Sequence, residues 1–171
     1  SLSQESDYQP GTGIALNILS QIAYRAGDYE TALTYGRQSL EIVTRLGNPW
    51  SKAFSLANLA QVAFARQEYD EARQLDQTIL EIREQMGDVR GVAMCLEQLA
   101  LTAVAQQNPG DALALYQRSL ALYREIGNQR GTISTMAGLG RIALQQEAYE
   151  LARTYFADAL NRAIQLQNVP E

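Results

Sequence analysis

The chain has 171 residues, 46% of them hydrophobic, and a net charge of −5 with no histidine. That length and apolar fraction suffice for a sizeable core and argue against intrinsic disorder. Without histidine there is no imidazole base, no Ser-His or Cys-His nucleophile pair and no His-containing metal site.

The charge deficit is local. Residues 51–90 hold five basic and seven acidic side chains, and the rest of the excess comes from Glu5, Asp7 and Glu171. No cationic footprint emerges, so neither nucleic acid nor a membrane surface is expected as a partner. No run approaches the roughly 18 apolar residues of a membrane span, and SLSQESDYQP lacks the basic and apolar regions of a signal peptide. A lone cysteine, Cys95, cannot close an internal disulfide, which suits a reducing cytoplasm, the expected location.

Residues 1–10 read as an N-terminal flank. From Gly11 the chain aligns with itself without gaps in blocks of 40 residues, 11–50, 51–90, 91–130 and 131–170. In the first block Leu16, Leu19, Ser20 and Ala23 stand at i, i+3, i+4 and i+7, one face of a helix. The turn GDYE follows, with Asp28 as N-cap, and a second helix carries Ala32 and Leu40 towards a glycine stop at Gly47. Asn48 then caps the next block, where Leu56, Leu59, Ala60 and Ala63 repeat the first face and Ala72 and Leu80 the second, ending at Gly87. Asp88 opens the third block, with Leu96, Leu99, Ala100 and Ala103, then an Asn108 cap with Pro109 at the first helical position, then Ala112 and Leu120, ending at Gly127. Asn128 opens the fourth, with Met136, Leu139, Gly140 and Ala143, then Ala152 and Leu160. Its stop, Gln167-Asn168, is weaker than a glycine. The prediction is an all-α chain of four two-helix hairpins, about eight antiparallel helices in which small residues let the axes approach and leucines fill the gaps.

Solenoids are closed by polar terminal units, and no further amphipathic helix covers the last hairpin. The chain is therefore expected to be a segment of a longer array.

These residues resemble the tetratricopeptide repeat, whose pattern runs W-x2-L-G-x2-Y, A-x3-F, P. The resemblance covers residues 11–170 and implies an α-α superhelix. Leu16, Leu56, Leu96 and Met136 stand at the Trp position, Ala replaces Tyr throughout, and the F position holds Gly36, Asp76, Tyr116 and Phe156. Asp76 is expected to escape to solvent. The terminal Pro is missing, with Thr44, Glu84, Arg124 and Ile164 in its place, which lets the second helix run on and explains the 40-residue period. This longer form is similar to the repeats of kinesin light chain and to the C-terminal sensor arrays of bacterial signal-transduction ATPases and LuxR-type regulators.

The resemblance implies a concave groove lined by the first helix of each hairpin. Carried over position by position, it falls on Asn17, Gln21, Tyr24 and Arg25, then Phe54, Gln61 and Phe64, then Glu97 and Leu101, and finally Arg141 and Gln145. Met94, Ser134 and Leu144 occupy further groove positions. The basic members are Arg25 and Arg141 alone, so the carboxylate clamp of the chaperone-binding members is absent. The position shared by Tyr24, Phe64, Val104 and Leu144 suits inter-helix packing as well as a ligand. Trp50 reads either as a partner anchor or as a buried packing residue, and Cys95 as a packed thiol.

No catalytic residue, metal site or cofactor is indicated, and no enzymatic activity is expected. The leading expectation is a protein- or peptide-binding scaffold, the sensor or interaction part of a larger bacterial regulator. The alternative is a structural spacer or a homo-oligomer formed through exposed solenoid ends.

Overall fold

The computed structural model describes residues 2–167, with side chains from residue 11 onward. Eight helices follow one another: α1 (Leu2–Arg25), α2 (Tyr29–Arg45), α3 (Pro49–Ala65), α4 (Tyr69–Gln85), α5 (Val89–Ala105), α6 (Pro109–Glu125), α7 (Gln129–Gln145) and α8 (Tyr149–Gln167). No strand occurs among the described residues. Helix α1 begins at Leu2, so residues 2–10, read above as a flank, continue the first helix. Helix α8 runs to Gln167, and Asn168 of the anticipated stop lies outside the described residues.

The helix ends obey a rule twice as fine as the sequence repeat. A residue in the left-handed region recurs every twenty positions: Gly27, Gly47, Gln67, Gly87, Gln107, Gly127 and Glu147, with φ between 58° and 80°. Each reverses the chain by the same device. Gly27 N–H donates to the Tyr24 carbonyl at 3.0 Å and Asp28 N–H to the Ala23 carbonyl at 2.9 Å, which satisfies the orphan carbonyls of the last turn. The predicted stops at Gly47, Gly87 and Gly127 are thus where the chain turns. Gln67, Gln107 and Glu147 take the same conformation despite the Cβ that disfavours it.

Asp28, Asn48, Asp88, Asn108 and Asn128 each accept a hydrogen bond from the backbone N–H three residues on, so all five predicted caps form. Pro109 sits in the first turn of α6 as expected. Asp28 is held below its ordinary range by its bond to Thr31.

The chain divides into two compact units, Ser1–Ile82 and Arg83–Glu171, the boundary falling within α4. In the first unit, Ala23, Ala32 and Val62 are buried together, with Tyr24, Tyr29 and Leu33 packed around them. The junction of α2 with α3 is built from small and polar residues. Gly36 lies so close to Leu59 that a Cβ there would stand 2.8 Å from its Cδ2. Ser39 Oγ donates to the Gly13 carbonyl at 2.7 Å and meets Ser55 Oγ at 3.1 Å. Asn17 Nδ2 donates to Ser55 Oγ at 3.0 Å, and Asn58 Nδ2 donates to the Asn17 carbonyl and Oδ1, both at 3.2 Å. Buried polar groups of this kind are tolerable only when paired, and these are.

Asp76 corrects an expectation. It does not reach solvent but is 7% exposed, and burial pushes its carboxyl up to about 7. The reason is register: it stands four residues after Ala72 and three before Ile79, both buried on the inner face of α4. One methylene is too short a stem to carry a carboxylate around the helix to water.

In the second unit the core gathers Ala100, Ala103, Ala112, Tyr116, Leu120, Met136, Leu139, Ile142 and Ala159. Here aromatic rings lie on glycines. A Cβ at Gly138 would stand 2.6 Å from Tyr116 Cζ, one at Gly131 2.5 Å from the Tyr123 ring, and one at Gly140 2.9 Å from the Phe156 ring. Cys95 is buried, as its small counterparts in the other blocks suggested. Arg83 pairs with Asp88 at 2.5 Å while Asp88 also caps Gly91, tying the end of α4 to the start of α5.

Candidate functional site

The groove residues read from the sequence fall on α1 and α3 in the first unit and on α5 and α7 in the second. They do not all face outward. Asn17 is 3% exposed and is consumed by Ser55 and Asn58, so its amide is an internal brace and leaves the site. The error has a physical source: the i, i+4 stripe Asn17, Gln21, Arg25 runs along α1, but its first member sits where α3 crosses.

Two aromatic members double as packing. Tyr24 is half-buried with its ring 6.0 Å from Tyr29, and Phe64 lies edge-on to Tyr69 at 5.5 Å. Both pairs close a hairpin tip. Between them, Arg66 donates to Glu30 at 2.6 Å and to Glu68 at 3.0 Å, linking the tips of the first two hairpins. What the first unit presents outward is Arg25, Phe54, Gln61 and part of Phe64, with Gln21 half-buried beside them. Trp50, at the first turn of α3, is 55% exposed and so is not a buried packing residue.

The second unit presents a more constrained arrangement. Glu97 on α5 is half-buried, and its carboxylate accepts from Ser134 Oγ on α7 and from Tyr123 Oη on α6, the latter at 3.4 Å. Burial, with the Glu97 carboxylate second, raises the Tyr123 hydroxyl well above its usual range. Further along α7 lies the exposed Arg141 guanidinium, near the Tyr116 hydroxyl; burial raises that hydroxyl and the cation opposes the rise. Ser134 and Arg141 are seven residues apart on one helix, a separation of about 10 Å. Leu101, half-buried and packed on the core, lies on α5 beside Glu97's face, and Met94, Leu144 and Gln145 are exposed.

Sequence reasoning missed Tyr116 and Tyr123. Both belong to α6, which the groove pattern does not include, yet their hydroxyls reach the face that α5 and α7 make. The available signal was chemical: two tyrosines where the aligned positions of the first block hold Gly36 and Val43.

Among the described residues no group of three or more His, Cys, Asp and Glu is placed to hold a metal ion, and no helix is long and apolar enough to cross a membrane.

Solved structures share this architecture. BtubC (BKLC) from P. vanneervenii superposes with a TM-score of 0.78 at 19% identity, over 91% of this chain and 63% of its own. A Rap protein complexed with competence and sporulation factor gives a TM-score of 0.81 at 14% identity, over 91% and 44%. A signal transduction ATPase with numerous domains from Pyrococcus horikoshii, which has a tetratricopeptide repeat sensor, gives 0.83 at 19%, over 91% and 24%. At such identities the likeness establishes the fold, and this chain spans less than two thirds of each of them. No curated protein matches it in sequence. The tetratricopeptide repeat models match residues 12–46, 51–125 and 91–165, which takes in nearly all of the eight-helix array, and the chain belongs to the tetratricopeptide repeat family.

Proposed function

We propose that the chain is a protein- or peptide-binding scaffold that takes an extended segment along the outward faces of its first helices, without catalysis of its own. The observation that carries this reading is the second unit's pair of opposite charges, of which Glu97 is fixed by its neighbours. Glu97 is held by Ser134 and Tyr123, and Arg141 stands further along α7 beside the Tyr116 hydroxyl. Orienting groups this way costs side-chain entropy, and meeting that cost on folding lowers the cost of binding. An extended chain advances about 3.3 Å per residue. The roughly 10 Å between Ser134, which touches Glu97, and Arg141 therefore matches about three residues of ligand. Glu97 would accept a backbone or cationic side-chain N–H, Arg141 would donate to a carbonyl or carboxylate, and Leu101 lies on the apolar surface between.

A role as the sensor or interaction part of a larger signal-transduction protein is the finer form of this proposal. It is supported by the sensor array of the Pyrococcus ATPase and by the Rap protein seen with its factor.

The test begins with peptides selected from a random library on the immobilised chain and titrated calorimetrically. Replacing Glu97 by Gln and Arg141 by Ala together should weaken the selected peptide at least tenfold, about 1.4 kcal/mol, with the unfolding midpoint held. Equal affinity for wild type and variant refutes the assignment.

A further inference from the structure

We propose that the ligand of the second unit is a peptide segment of mixed charge, with a basic side chain for Glu97, an acidic side chain for Arg141 about three residues away, and uncharged residues between them. This names the ligand class of the scaffold proposed above and rests on that reading. It stands on two opposite charges that share a face and that the protein leaves without ion-pair partners.

The face is made by α5 and α7. Glu97 is half-buried and accepts from two neutral donors, Ser134 Oγ and Tyr123 Oη. Arg141 is exposed, and the hydroxyl beside it, that of Tyr116, is also neutral. Among the described residues neither Glu97 nor Arg141 forms an ion pair, whereas Arg83 is taken by Asp88 and Arg153 by Glu150. Arg90, two turns before Glu97 on α5, acts on the Tyr123 hydroxyl and does not pair with the carboxylate.

Water solvates both charges while the face is open. A peptide lying along it removes that water, and covering a carboxylate or a guanidinium with neutral groups alone is strongly unfavourable. A basic side chain over Glu97 and an acidic one over Arg141 compensate the loss with charge-assisted hydrogen bonds. The same arithmetic rejects the reverse order, which sets like charges together at both places. The order of charges along the ligand is thereby fixed relative to the helices.

The spacing follows from α7. Ser134, against Glu97, and Arg141 are two turns apart, roughly 10 Å, which an extended chain covers in about three residues. Between them the floor changes character. Ala137 lies on α7 about one turn from each, and Leu101 lies one turn beyond Glu97 on α5; both are half-buried, and Leu101 packs against the core. That surface offers a charged side chain no partner, so the middle of the ligand is uncharged.

The experiment uses the 171-residue chain and the peptides it selects from a random library, resynthesised with acetylated and amidated ends so that every charge is a side chain. The selected sequences should share a Lys or Arg and an Asp or Glu with about two residues between them. Changing the peptide's basic residue to Gln should weaken binding to wild type about tenfold. The same change should matter little to Glu97→Gln, while Arg141→Gln should still feel it in full. Neutralising the acidic residue should give the converse, a loss coupled to Arg141 and indifferent to Glu97. The peptide-side changes read on wild type require no variant to fold, and unfolding midpoints check the two variants.

Peptides that lack the charge pair, yet lose affinity when Glu97→Gln and Arg141→Ala are combined, overturn this inference and leave the scaffold standing. So does a charge pair whose neutralisation wild type and both variants feel equally. Binders indifferent to both substitutions overturn the inference together with the groove assignment, and a library that yields no binder overturns the scaffold reading as well.

Discussion

The junction between α2 and α3 and the junction between α6 and α7 occupy the same place in the repeat and are filled in opposite ways. In the first unit the second helix contributes the hole, Gly36, and the first helix the knob, Leu59, with Ser39, Ser55, Asn17 and Asn58 hydrogen-bonded alongside. In the second unit the second helix contributes the knobs, Tyr116 and Tyr123, and α7 the holes, Gly138 and Gly131. The period fixes the distance between helix axes but not which partner supplies the volume. Close packing asks only that the junction be filled, so either helix can supply the volume.

The comparison can be broken most severely at Tyr116. Tyr116→Ala should cost about 3–5 kcal/mol, since it empties a fully buried aromatic site, and chemical denaturation monitored by helical circular dichroism measures it. Filling the hole from the other side, Gly138→Ala should cost about 1–3 kcal/mol by overpacking the ring. Gly36→Ala should cost less, because its clash is with the end of a flexible leucine and not with a rigid ring, while both changes gain about 1 kcal/mol in helix propensity. Equal losses at the two glycines would show that the junctions are not mirror solutions.

Next in size is Asp76. Its folded carboxyl sits near 7, above the ordinary 3.8, so the folded state holds its proton more tightly than the unfolded chain does. Stability from this group is fully present below about pH 4 and is lost as pH rises towards about 7, at about 1.4 kcal/mol for each pH unit in that window, for a total of roughly 2–4 kcal/mol. Asp76→Asn should flatten that slope and raise the midpoint of unfolding at about pH 8, above the folded carboxyl's titration. An unchanged pH profile would contradict the buried, protonated description.

Asn17→Ala follows, at about 1–3 kcal/mol, because it removes a buried amide that donates to Ser55 and accepts from Asn58, although each keeps another partner. The loss should exceed that of Gln21→Ala on the same helix. Smallest is the turn series. Gln67→Gly, Gln107→Gly and Glu147→Gly should each stabilise by up to about 1 kcal/mol, since glycine adopts the left-handed turn without a Cβ penalty. The reverse change, Gly127→Gln, should destabilise by a similar amount. Midpoints from thermal unfolding resolve both signs.

Helix number, the inner helix limits and the caps were legible because each rests on a local rule: a period of three to four, a capping side chain, a glycine that tolerates positive φ; the start of α1 at Leu2 was not. The left-handed Gln67, Gln107 and Glu147 were not legible, since nothing in those side chains favours the conformation; the helices on either side impose it. Asp76 was misjudged because residue type suggested solvent while helix phase placed it inside, and phase prevailed. In the candidate site, Arg25, Gln61 and Arg141 could be placed outward from the repeat alone. Asn17 could not, because its burial depends on a crossing helix. The hold of Tyr123 on Glu97 and the nearness of Tyr116 to Arg141 were hidden for the same reason: they arise across three helices and have no sequence spacing of their own.

The left-handed residue at every twentieth position has a consequence for how such a chain can grow. Each helix begins with its own start signal and ends with its own reversal, so a helix with its turn is a self-contained cassette that can be copied without redesigning the joints. Copying one cassette would invert the direction of everything downstream and bring two like faces together. Copying two restores it. Gene duplication acting on this chain is therefore filtered to multiples of forty residues, and the joints, more than the faces, decide which duplications survive.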